Sequence, residues 1–132
     1  MDRQVIVVGW TPGPQGEAAI DAAVEEAGRR DARLHVVNAS SGESFVDNGI
    51  ANDDQLDALR ERLSGNGVEH EVVQSVGRLD PADEILEAAE QLSASLVVLG
   101  IRRRTPVGKL LMGSTSQRVL LQAPCPVLAV KA

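Results

Sequence analysis

The sequence predicts a doubly wound α/β fold built on a five-stranded parallel sheet. Three observations carry this expectation. Residues 5–9 and 95–99 are continuous apolar runs that lead into Gly9 and Gly100, the pattern of strands buried on both faces of a parallel sheet. Five strand-like segments alternate with four helix-like ones, the alternation expected of βαβ units. The length of 132 residues, with 43% hydrophobic and 24% charged, suits one domain over 1–132 with a core of its own.

Strand one, 5–9, closes at Gly9 and gives way to Trp10, Thr11, Pro12, Gly13 and Pro14, a turn dense in backbone breakers. Pro14 suits the first turn of a helix carrying Ala18, Ala19, Ala22, Ala23 and Ala27, side chains small enough to press that helix close to the sheet. Trp10 is the only tryptophan. It has two readings: a packing residue covering the sheet end, or a flat surface on which a ligand base stacks.

Strand two is expected over 34–38, ending at Asn38, and makes the first strand-helix-strand unit a right-handed crossover. His35 within it reads as a packed strand residue. The stretch 39–51 is long for a connection and leaves the carboxyl end of that strand, so it belongs beside any site built there. Asn52 then caps a helix with Asp53 and Asp54 in its first turn and Leu56, Leu59 and Leu63 on its buried face.

Gly65, Asn66 and Gly67 stop that helix, and 68–75 reads as strand three. Glu69, His70 and Glu71 are too polar for a central position, which predicts an edge strand. Alternation sends His70 away from both glutamates, against a metal site. Helix three has the clearest start, with Asp80 as cap, Pro81 at its first position and Asp83 and Glu84 in its first turn. Strand four, 95–99, is as apolar as strand one and therefore central.

Beyond it comes GIRRRTPVGKLLMGS, from Gly100 to Ser114. Glycines, three arginines, a lysine and a helix start after Gly113 make a ready anion site, with phosphate the natural guest. Helix four is expected over 114–122, where Ser114, Thr115 and Ser116 suit phosphate oxygens and helix capping equally.

Composition excludes several classes. The formal charge of −6 opposes general nucleic-acid binding. The first apolar run is too short for a signal peptide or membrane span, so the expected setting is cytoplasmic. A lone Cys125 excludes an internal disulfide framework, and two distant histidines offer no structural metal. Gly108 and Lys109 lead into Leu110 rather than a Walker ending, so a slow ATPase ranks below a binding function.

The run LVVLGIRRRTPVGKLLMGSTSQRVLLQAPCPVLAVK resembles the C-terminal third of the universal stress protein family. The family signature is glycine, two residues, glycine, nine residues, then glycine followed by serine or threonine. Gly100, Gly113 and Ser114 stand at matching positions, and the order of elements agrees over essentially the whole chain. The resemblance implies a Rossmann-like sheet, similar to the adenine nucleotide alpha hydrolases, with strand order 3-2-1-4-5.

It further implies a homodimer and a stress-response module that binds ATP, AMP or another phosphate ligand. Candidate nucleotide contacts are then Gly9, Trp10, Thr11, Asn38, Leu99, Gly100, Arg102, Arg103, Gly113, Ser114 and Thr115. In that order strand five, Pro126, Val127, Leu128, Ala129 and Val130, is an uncharged edge that invites a second copy. Two departures weaken the ATP expectation. Thr11 stands where the family's nucleotide binders carry an aspartate, and Arg103 replaces the second signature glycine. Losing one adenosine hydrogen bond costs about 1–3 kcal/mol, roughly ten- to hundredfold in affinity. The alternative is a ligand-free dimeric interaction protein.

Overall fold

The computed structural model describes residues 3–40, 49–101 and 113–132. Its elements are β1 (Gln4–Gly9), α1 (Pro14–Arg30), β2 (Ala32–Ser40), α2 (Asp53–Gly65), β3 (His70–Val76), α3 (Pro81–Gln91), β4 (Leu96–Ile101), α4 (Ser114–Gln122) and β5 (Val127–Lys131). The strands form one parallel sheet in the order β3-β2-β1-β4-β5, as expected.

Local chemistry explains the boundaries. Pro14 starts α1 with its φ already set, and Asp31 stops it in the left-handed region at φ 51°. Asn52 and Gln55 form a reciprocal capping box at α2, each side chain holding the other's backbone N–H at 2.8 and 2.9 Å. Asp80 caps α3 through the Ala82 N–H at 2.9 Å. No described helix is long and apolar enough to cross a membrane.

The strand ends differ by one or two residues from the sequence reading, each for a physical reason. β2 extends to Ala32 because Asp31 turns the chain in a single residue, and it continues to Ser40, paired with Val76. β3 begins only at His70, since the Val68 N–H still bonds back to Leu63 O at 3.2 Å. β4 runs through Gly100 to Ile101, which makes Gly100 a strand residue. Pro126 precedes β5, although its carbonyl accepts from the Val97 N–H at 3.0 Å.

Two apolar layers sandwich the sheet. One face packs Ile6, Val8, Leu34 and Val36 against Ala19, Ile20 and Ala23 of α1 and the three leucines of α2. The other packs Val5, Val7, Val37 and Val97 against Ile85 and Ala89 of α3 and Val119 of α4. Small buried residues along α1 let it lie close to the strands, as their pattern predicts. Among the described residues Glu84 is the one buried carboxylate, gripped by Arg78 through two bonds of 3.0 Å and by the Ser75 hydroxyl at 2.9 Å.

Candidate functional site

β1 and β4 lie side by side at the centre of the sheet, with Gly9 paired to Val37 on one side and Leu99 on the other. Their connections leave in opposite directions, β1 toward β2 and β4 toward β5, so the carboxyl ends of the strands part and open a crevice. The cleft there has a volume of about 540 Å³, within the range of small-molecule sites. Its lining combines two chemistries. Val37, Ala39, Ile85 and Leu99 are apolar, while Gly113, Ser114, Thr115 and Ser116 bring polar groups at the start of α4.

The turn after β1 also lines the cleft, with Trp10, Thr11 and the first turn of α1. Its shape depends on close backbone approach. A Cβ on Gly16 would stand 1.7 Å from the Thr11 carbonyl oxygen and 2.8 Å from Trp10 Cδ1, so glycine is what allows the turn to fold onto the helix. Trp10 is 4% exposed and packs in the core layer of α1, as the packing reading expects, while also lining the cleft. Its Nε1 is buried with no hydrogen-bond partner.

Among the residues expected from sequence, Gly9, Trp10, Thr11, Leu99, Gly100, Gly113, Ser114 and Thr115 are brought together around this cleft. Asn38 is not in its lining. Arg102 and Arg103 lie outside the described residues, as do Arg104 and Lys109. Gly100 has a packing role besides its place at the cleft. Its missing side chain makes room for α1, since a Cβ would stand 2.0 Å from Gln15 O. Gly113 is the opposite case, with nothing within 4 Å of a Cβ and an ordinary φ of −67°.

The lining residues not singled out from sequence are partly recoverable from register. Val37 and Ala39 follow from the pairing of β1 with β2. Gly49, Pro81 and Ile85 come from distant segments that only the fold brings in. None of the described lining residues ionises, so the lining offers apolar contact, hydroxyls and backbone amides.

The titratable groups with shifted behaviour sit elsewhere. Burial pushes the His35 imidazole below its ordinary value, against the opposing pull of Glu71 and with a smaller push from Arg33. Its Nδ1 has no hydrogen bond and stands 3.8 Å from Glu71 Oε2. Burial raises the Cys125 thiol. Among the described residues no group of histidine, cysteine and carboxylate side chains could hold a metal ion.

Residues 2–131 match the family model described as the universal stress protein family. A universal stress protein of Mycolicibacterium smegmatis is 46% identical over 127 residues, covering 96% of this chain and 97% of that protein. The solved universal stress protein of Archaeoglobus fulgidus superposes with a TM-score of 0.73 at 29% identity, over 99% of this chain and 100% of that one. A structure of the universal stress protein from the same organism in complex with dAMP has a TM-score of 0.65 at 26% identity, over 98% of each chain.

Proposed function

This chain belongs to the universal stress protein family, and on that premise we propose that it is a non-catalytic stress-response module that binds an adenine nucleotide in the cleft between β1 and β4. The observation that carries this reading is the start of α4. α2 and α3 have side-chain caps, whereas among the described residues no side chain caps α1 or α4, the two helices whose first residues border the cleft. Neither backbone conformation nor packing requires glycine at Gly113. Space above its Cα beside the amides of a helix start is what a phosphate needs.

The apolar part of the lining suits a base. Val37, Ala39, Ile85 and Leu99 offer an apolar slot, and the dAMP held by the Archaeoglobus protein supports adenine as its occupant. Thr11 brings a hydroxyl where a carboxylate would accept more strongly, which favours modest affinity. AMP and ATP share every group this cleft would recognise up to the first phosphate. Function follows from differential binding, with nucleotide favouring one arrangement of the chain and its partners.

A homodimer through β5 and a cytoplasmic setting complete the reading. Calorimetric titration of the purified protein with AMP and with ATP tests it. Saturable binding of either at micromolar to millimolar concentration is expected, and no binding of both at millimolar concentration overturns it.

A further inference from the structure

Asn38 is the one wholly buried polar side chain among the described residues, at 0% exposure. All four of its hydrogen-bonding positions are used. Its Nδ2 donates to Trp10 O at 2.9 Å and Gly49 O at 2.6 Å, and its Oδ1 accepts from the Ala51 N–H at 2.9 Å and from Gln74 Nε2 at 3.0 Å. Gln74 Nε2 also donates to Ala51 O at 2.7 Å. One amide from β2, backed by one from β3, therefore joins the end of β1 to the stretch around Gly49.

Both carbonyls that receive its protons belong to residues lining the cleft, Trp10 and Gly49. We propose that Asn38, with Gln74 behind it, is a positioning residue that sets the form of the cleft by fixing Trp10 and Gly49 to each other. The amide is the side chain suited to this task. A carboxylate of the same size accepts only, and would face two carbonyl oxygens with no proton to give. An aliphatic replacement would leave the same carbonyls and the Ala51 N–H without their partner.

The consequence for ligands rests on the nucleotide reading above, whereas the bracing itself does not. With the brace weakened, the fraction of molecules holding the binding-competent cleft falls, and apparent affinity falls by that fraction. A uniformly destabilised protein behaves differently: well below its melting temperature it is still almost wholly folded, and its affinity is unchanged.

The test uses Trp10, the sole tryptophan of a chain with no tyrosine, as its own reporter. Acrylamide quenching of its fluorescence is measured in ligand-free wild type, Asn38→Asp and Gln74→Leu, alongside AMP titration well below each melting temperature. Both variants are expected to unfold cooperatively and to raise the quenching constant about twofold or more, as local opening exposes the indole. Asn38→Asp is expected to weaken AMP binding about tenfold or more, and Gln74→Leu by less.

Unchanged quenching in the folded variants overturns the proposal, as does unchanged AMP affinity in a variant whose quenching has risen. Gln74 is exposed, so Gln74→Leu decides the matter alone if Asn38→Asp does not fold. A wild type that binds no AMP, with quenching raised in the variants, removes the nucleotide reading and leaves the brace in place.

Discussion

At the residue scale, two glycines of the family signature separate packing from ligand binding. Gly100→Ala drives a methyl into the backbone of Gln15, and α1 cannot swing away without leaving the sheet. A loss of about 1–3 kcal/mol is expected, read from the urea midpoint at constant m. Gly113→Ala meets nothing and has an allowed φ, so stability should change by less than about 1 kcal/mol. If phosphate occupies the space above it, AMP affinity falls about tenfold or more in calorimetry while the midpoint stays put.

His35 supplies a third residue-scale prediction, with a definite sign. Its folded-state value is lowered, by burial first, so the unfolded imidazole takes up a proton at a higher pH than the native one. Stability contributed by the neutral ring is therefore present above the ordinary value of 6.5, and is lost as pH falls through 6.5 until the native ring also protonates. Urea midpoints at pH 7.5 and 5.5 should show a drop in wild type that is smaller in His35→Gln. An equal drop in both proteins assigns the effect to other groups.

At the element scale, the two outer strands of the sheet are unlike. β3 begins with His70 and Glu71, and Glu69 just before it pairs with Arg3. β5 is uncharged until Lys131, and all its residues before that are only partly buried. Val127, Leu128 and Val130 also pack on the core layers, whereas Ala129 belongs to neither. Ala129→Lys should therefore shift a β5-paired dimer to monomer in sedimentation velocity while leaving the thermal transition nearly in place. A dimer that persists in this variant locates the contact elsewhere.

Elements and site were legible to different depths. β1 and β4 are visible as apolar runs because burial on both faces leaves no position for a polar side chain. The starts of α2 and α3 are visible because caps act within three residues. Trp10, Thr11, Leu99 and Ser114 were within reach because a switch-point cleft lies where central strands end. The role of Asn38 was not, since its partners are backbone atoms 28, 11 and 13 positions away and a glutamine 36 away. The packing role of Gly100 was out of reach for a related reason, because the atom that excludes its side chain belongs to α1.

At the scale of the whole molecule, the cleft draws its lining from nearly the full length of the chain, from Gly9 to Ser116. A ligand seated there binds the folded state alone, so stability should rise with its concentration. At about one hundred times the dissociation constant, AMP should add roughly 2.7 kcal/mol, read as a higher melting temperature in wild type and a smaller rise in Gly113→Ala. Nucleotide that leaves the melting temperature unchanged at that excess contradicts a site in this cleft.

The contrast between β3 and β5 also bears on how many copies can assemble. A parallel sheet with two receptive borders has a valence of two and can grow without limit, as fibrils do. If two chains pair through β5, as proposed, the charged border at β3 opposes further growth and each chain has a valence of one. Two chains so paired would present only charged borders outward. Pairing of that kind would be self-terminating, and neutralising Glu69 and Glu71 would remove part of the guard at the other border.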